Sequence, residues 1–91
     1  MLKLLQNLED KLQNKYIPIT LNGRKCFALP TGEIVRLTGI KTFGAVVVEY
    51  ADSGIDAERN RFEDGDLFYL NELNEEQIFK AIINEINNTS S

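Results

Sequence analysis

The stretch RFEDGDLFYL, residues 61–70, places Glu63, Asp64 and Asp66 within four positions and follows them with Leu67, Phe68, Tyr69 and Leu70. Clustered carboxylates are the hard oxygen donors that Ca²⁺ or Mg²⁺ requires. Asp52 and Asp56 lie shortly upstream, and counting Asp52 as position 1 of a calcium loop puts Asp56 at 5, Glu58 at 7 and Glu63 at 12. Two diagnostic positions fail: Gly54 falls at position 3, which needs a ligand side chain, and Ala57 falls at position 6, which needs glycine. The preceding segment also reads as strand where a calcium loop needs a helix. Asp52, Asp56, Glu63, Asp64 and Asp66 are thus the divalent-cation candidates, beside a plainer expectation that is preferred. Asp64-Gly65 is a standard turn pair, Glu63 and Asp66 are its solvated flanks, and Leu67 to Leu70 enter the core. Glu72, Glu75 and Glu76 are explained equally simply, as carboxylates favoured near a helix N-terminus.

Other chemistries are excluded by composition. The chain has no histidine, which removes Ser-His-Asp and Cys-His catalysis, histidine metal sites and the commonest general base near neutral pH. One cysteine, Cys26, makes neither a zinc knuckle nor a redox dithiol. Its hairpin register places it beside Ile17 and Ile19, where an unpaired cysteine serves as a small hydrophobe. GIKTFG, residues 39–44, shares residue types with a phosphate loop but lacks the terminal Gly-Lys-Ser/Thr order ahead of a helix, so a hairpin connection is expected. No catalytic residue, cofactor or bound metal is expected.

Basic residues gather in the first half. Lys15, Arg24, Lys25, Arg36 and Lys41 lie in or near the first hairpin, close in sequence to Tyr16 and Phe27. A β-surface carrying cations and an aromatic can hold single-stranded nucleic acid by stacking, so nucleic-acid association is an alternative function. The isoelectric point near 4.7 and the lack of an RNP-like or GXXG motif weigh against it. Residues 1–45 carry seven Lys/Arg and three Asp/Glu, whereas residues 46–91 carry three and eleven. Folding can erase such asymmetry if the two halves interleave.

The elements that position these residues follow from periodicity. Met1, Leu4, Leu5, Leu8 and Leu12 make residues 2–15 an amphipathic helix ended before Pro18. Asn22-Gly23 is the preferred pair for a type I′ hairpin turn. It sets Leu21 opposite Arg24, Ile19 opposite Cys26 and Ile17 opposite Ala28, with Phe27 and Leu29 on the other sheet face. Pro18 places the first strand at an edge. EIVRLTGIK is the third strand, and AVVVEYA a central fourth strand buried on both faces. Residues 52–61 are ambiguous between loop and short helix, and DLFYL is a fifth strand. Asn74, with Gln77 three residues on, forms a capping box before the Ile78, Phe79, Ile82, Ile83, Ile86 stripe.

The expectation is therefore an α+β domain over residues 1–87: an N-terminal helix, an antiparallel sheet or small partly closed barrel of four to five strands, and a C-terminal helix. Residues 88–91 form a disordered polar tail. Residues 1–15 read as neither signal peptide nor anchor, no apolar run reaches membrane-span length, and the glycosylation triplets at Asn87 and Asn88 then carry no meaning. With its lone cysteine the chain is placed in the cytoplasm. Apolar residues on both strand faces require a curled sheet, helices on both faces, or a second copy of the chain. Phe27 and Leu29 are the protein-interface candidates. The expected function is a non-catalytic protein-interaction or regulatory module that self-associates as a homodimer, with no membrane partner.

Overall fold

The computed structural model describes residues 1–89. Chain order and spatial order coincide in the sheet: β1 (Ile17–Leu21), β2 (Arg24–Ala28), β3 (Ile34–Ile40), β4 (Ala45–Ala51) and β5 (Glu63–Tyr69) form one antiparallel meander, with β1 and β5 at its edges. Helix α1 (Leu2–Leu12) precedes it, the short α2 (Gly54–Glu58) lies between β4 and β5, and α3 (Glu75–Thr89) follows. The sheet is open, and the fold is α+β as expected. The radius of gyration, 12.2 Å, matches the ~12 Å that chain length predicts.

Helix α1 stops three residues sooner than its periodicity suggested. The amides of Lys15 and Tyr16 both donate to the Leu12 carbonyl, at 2.9 Å each, turning the chain before Pro18 is reached. Asn22 and Gly23 adopt φ of 53° and 75°, the left-handed pair a type I′ turn needs, and the hairpin register is the expected one throughout.

α1 and α3 share one face of the sheet. Phe27, Leu29, Val35, Leu37, Val46 and Val48 meet Leu8, Leu12, Ile78, Ile82 and Ile86 there, all buried. The opposite face has a second, smaller core of Cys26, Ile34, Ala51 and Ala57, with Leu21, Ala28 and Phe62 against it. Helix α2 supplies Ala57 and is capped by the Ser53 hydroxyl, which accepts from the Asp56 amide. The first hairpin bends over this face. The Asn22 side-chain amide donates to the carbonyls of Ala57 and Glu58, at 3.4 and 3.0 Å. The β2–β3 ladder shrinks to two residue pairs, Phe27–Val35 and Ala28–Ile34. Of the three covers that apolar residues on both strand faces called for, curling and a short helix together supply most of this one.

Two further expectations are corrected. Asp64-Gly65 is not a turn: β5 begins at Glu63 and runs through both residues. α3 continues through Thr89, so Asn88 and Thr89, expected in a disordered tail, are helical, while Ser90 and Ser91 lie outside the described residues. The helix start is as read, with the Asn74 amide donating to Gln77 Oε1 at 2.9 Å and the Gln77 amide to Asn74 Oδ1 at 2.8 Å. Among the described residues no helix is long and apolar enough to cross a membrane.

Candidate functional site: polar networks and sheet edges

The carboxylates of the opening stretch line one side of the molecule. Asp52, Glu63, Asp64 and Asp66 join Glu33, Glu85 and Tyr50 around a shallow cleft of about 350 Å³. Asp56 sits apart, in a neighbouring hollow, where it pairs with Arg61 at 3.7 Å and with the Ser53 hydroxyl at 3.0 Å. Among the described residues no three acidic or cysteine side chains converge as a ligand set for a metal ion.

A β-bulge explains the spacing of these acids. β5 pairs Leu67 with Val47 and Asp64 with Glu49, so three steps along β5 match two along β4. The extra residue displaces the Asp66 amide from the regular ladder, and Glu85 Oε1 accepts from it at 2.7 Å. The Tyr50 hydroxyl donates to the other oxygen of Glu85. A Cβ on Gly65 would collide with the Glu85 carboxylate and meet the Val48 carbonyl oxygen at 3.0 Å. Glycine is therefore favoured by the close approach of Glu85 and the Val48 carbonyl, not by a turn. Burial, the hydrogen bond to Glu85 and the charge of Glu85 together hold the Tyr50 phenol well above its ordinary range.

A second network crosses the face opposite the two long helices. Arg36, 8% exposed, donates from Nε to Glu49 Oε1 at 2.9 Å and from Nη1 to Asn60 Oδ1 at 3.0 Å. Its guanidinium lies 3.8 Å from the centre of the Phe62 ring. Thr38 donates to Glu49 and accepts from Arg24 Nη2 at 2.9 Å. The same Arg24 nitrogen donates to the Leu37 carbonyl at 2.9 Å, bridging the strands beyond the end of the β2–β3 ladder. Burial pushes the Glu49 carboxyl up. Hydrogen bonds from Thr38 and Arg36, with the charges of Arg36 and Arg24, outweigh burial and hold it below its ordinary value.

These placements separate the proposed basic surface. Arg24 and Arg36 are bound into the sheet. Lys25 donates to Gln13 at 3.1 Å on the α1 side. Lys15 precedes β1 at the Ile34 end of the sheet, and Lys41 follows Ile40 at the other end of β3. The five cations do not form one patch. Phe27 and Leu29, the interface candidates, are 0% and 6% exposed within the main core, so Phe27 is closed to a partner and Leu29 shows only a small part of its surface. Cys26 is buried, and burial raises its thiol pKa, leaving little thiolate for nucleophilic chemistry.

The sequence reading missed both networks, although each left a signal. Glu85 follows Ile82 by three and precedes Ile86 by one, a carboxylate on the flank of an apolar stripe. Arg36 and Glu49 alternate with apolar residues in adjacent strands, and the Ile40–Ala45 hairpin closure brings them into register.

The two sheet edges differ. β5 is bent by its bulge, carries Glu63, Asp64 and Asp66, and has one amide bound by Glu85. Each of these features discourages edge pairing. β1 has no charged residue and no bulge, and Pro18 is its sole such device. In a two-residue hairpin the Leu21–Arg24 pair closes the turn, so Ile17, Ile19 and Leu21 bond toward β2 while Pro18 and Thr20 face outward. Ile17 is 72% and Ile19 36% exposed. At the start of β1, Lys15, Tyr16, Ile17, Ala28, Leu29 and Pro30 line a largely apolar groove of about 350 Å³. Comparison with known proteins gives no match: no family model, curated protein or solved structure is significantly similar to this chain.

Proposed function

We propose that this chain is a cytoplasmic, non-catalytic protein-interaction module that receives a partner's strand along the β1 edge. The unequal protection of the two sheet edges carries the proposal. β5 is guarded by a bulge, three carboxylates and a bound amide, whereas β1 presents aliphatic side chains beside an apolar groove. Strand addition takes its affinity from main-chain hydrogen bonds and its specificity from alternate side chains. β1 offers both: outward groups on Pro18 and Thr20, and Ile17 and Ile19 on one face. Polar groups of the types that could react are bound internally, Glu49 to Arg36 and Thr38, Glu85 to Tyr50 and the Asp66 amide. The nucleic-acid and cation alternatives draw no comparable support, because the basic residues are scattered and Asp56 is engaged away from the other acids.

The test is affinity capture from the native host with the wild-type chain, Thr20→Pro and Glu63→Lys, after circular dichroism has confirmed that each variant is folded. Thr20→Pro removes the outward amide of β1, while Glu63→Lys alters the β5 edge. A partner retained by wild type and Glu63→Lys but lost from Thr20→Pro is the expected result. Thr20→Pro retaining every captured partner would refute strand addition.

A further inference from the structure

Resting on that reading of β1, we propose that the strand it receives is β1 of a second copy, antiparallel about a two-fold axis at Ile19. The inference comes from the pattern of the strand itself. An isologous contact must be self-complementary, and IPITL is nearly palindromic in side-chain character. About Ile19, Ile17 faces the partner's Leu21 and Ile19 faces the partner's Ile19, so the three aliphatics on one face oppose aliphatics. On the other face Pro18 lies opposite the partner's Thr20. The hydrogen-bonding is self-consistent as well. Each Thr20 N–H donates to the carbonyl of the partner's Pro18, and the missing Pro18 N–H removes only the reciprocal bond. Moving the axis by one residue, to Thr20, loses the match, since Ile17 would then face the partner's Gly23.

Charge and area set the character of the association. β1 carries no charge, so no like charges meet on the strands themselves. The cations bordering β1, Lys15 before the strand and Arg24 and Lys25 opposite Leu21 and Thr20 on β2, are brought toward those of the other copy. Their repulsion is screened by salt, so dimerisation strengthens as ionic strength rises. An acidic foreign strand would show the opposite trend. Five residues a side fall short of the ~1,200 Å² that marks a stable interface. The dimer is therefore a weak, reversible one.

Sedimentation equilibrium of the whole chain, from micromolar to millimolar protein at low and high salt, tests this. The expected result is a mass rising from one chain toward two with concentration, more steeply at high salt, together with concentration-dependent slowing of Thr20 amide exchange. Thr20→Pro and Ile19→Lys should each remain single chains under all these conditions. The two variants perturb hydrogen bonding and side-chain packing separately, so misfolding of one leaves the other informative. A single-chain mass at every concentration overturns self-pairing, as does unchanged dimerisation in both folded variants. If self-pairing fails while Thr20→Pro still loses a captured partner, β1 serves a foreign strand and the proposed function stands. If both tests fail, the edge is idle and both are wrong.

Discussion

Replacing Arg36 with methionine removes a buried cation while keeping an apolar chain against Phe62. Glu49 is then left with an 85% buried side chain, since 15% of it is exposed, and with no direct ion pair. Breaking a buried pair on one side costs about 3–5 kcal/mol. The low end applies because Thr38 still donates to Glu49 and the charge of Arg24 remains nearby. A loss of ~3 kcal/mol is severe for a chain of this length, whose whole stability is about 5–14 kcal/mol. It corresponds to a melting temperature lower by roughly 12–24 °C. The pH dependence gives a sharper test. In the wild type the folded-state carboxyl of Glu49 titrates below its unfolded value, so its stabilisation is complete above the unfolded pKa and is lost as pH falls through the folded one. Without Arg36, burial dominates and the carboxyl rises, so the penalty is greatest near neutral pH and shrinks in acid. Urea unfolding followed by circular dichroism between pH 4 and 7, with Glu49→Leu and the double variant Arg36→Met/Glu49→Leu, measures the coupling. The double variant should recover most of the loss, because two apolar side chains need no compensation. A cost for Arg36→Met below ~1 kcal/mol, independent of pH and additive with Glu49→Leu, would refute the reasoning.

Three further outcomes follow from the same coordinates. Gly65→Ala drives a methyl into the Glu85 carboxylate and toward the Val48 carbonyl, and should cost about 1–3 kcal/mol in denaturant unfolding, less when Glu85→Ala is added. The raised Tyr50 phenol contributes stability that is fully present below its unfolded pKa of about 10 and is lost as pH rises toward the folded value. Tyr50→Phe should therefore show a shallower alkaline decline in melting temperature than wild type. Asn74→Ala opens the capping box of α3 and should destabilise by ~1 kcal/mol, with Asn74→Ser restoring most of it.

Much of the fold was legible because local chemistry fixed it. Asn22-Gly23 dictated a register that Ile17, Ile19 and Leu21 follow without a slip. Asn74 and Gln77 marked the start of α3, and the apolar run of AVVVEYA marked a strand buried on both faces. Asp64-Gly65 misled because a turn and a bulge both call for glycine, for different reasons. The deciding neighbour, Glu85, is distant in sequence and arrives with α3. Phe27 and Leu29 misled in another way. Alternation told which residues share a face, but not which face the two helices choose. That choice depends on α1 and α3 packing together, tied at the surface by Lys11 to Glu75 at 3.2 Å.

The division of charge between the two halves of the sequence persists in the sheet because the fold is a meander. Strands that follow chain order cannot interleave, so the acidic half of the sequence becomes the β4–β5 side and the basic half the β1–β3 side. The consequence for the edges is physical. Acids on β5 repel one another across any β5–β5 contact and so close that edge to a second copy. Of the basic residues near β1, Arg24 is drawn inward to the Leu37 carbonyl, and the strand itself carries no charged residue. With one edge repulsive and the other neutral, the proposed strand addition has only the β1 side open to it. Pro18 leaves β1 a single outward amide in the strand, that of Thr20, so a strand added at this edge would gain few main-chain hydrogen bonds.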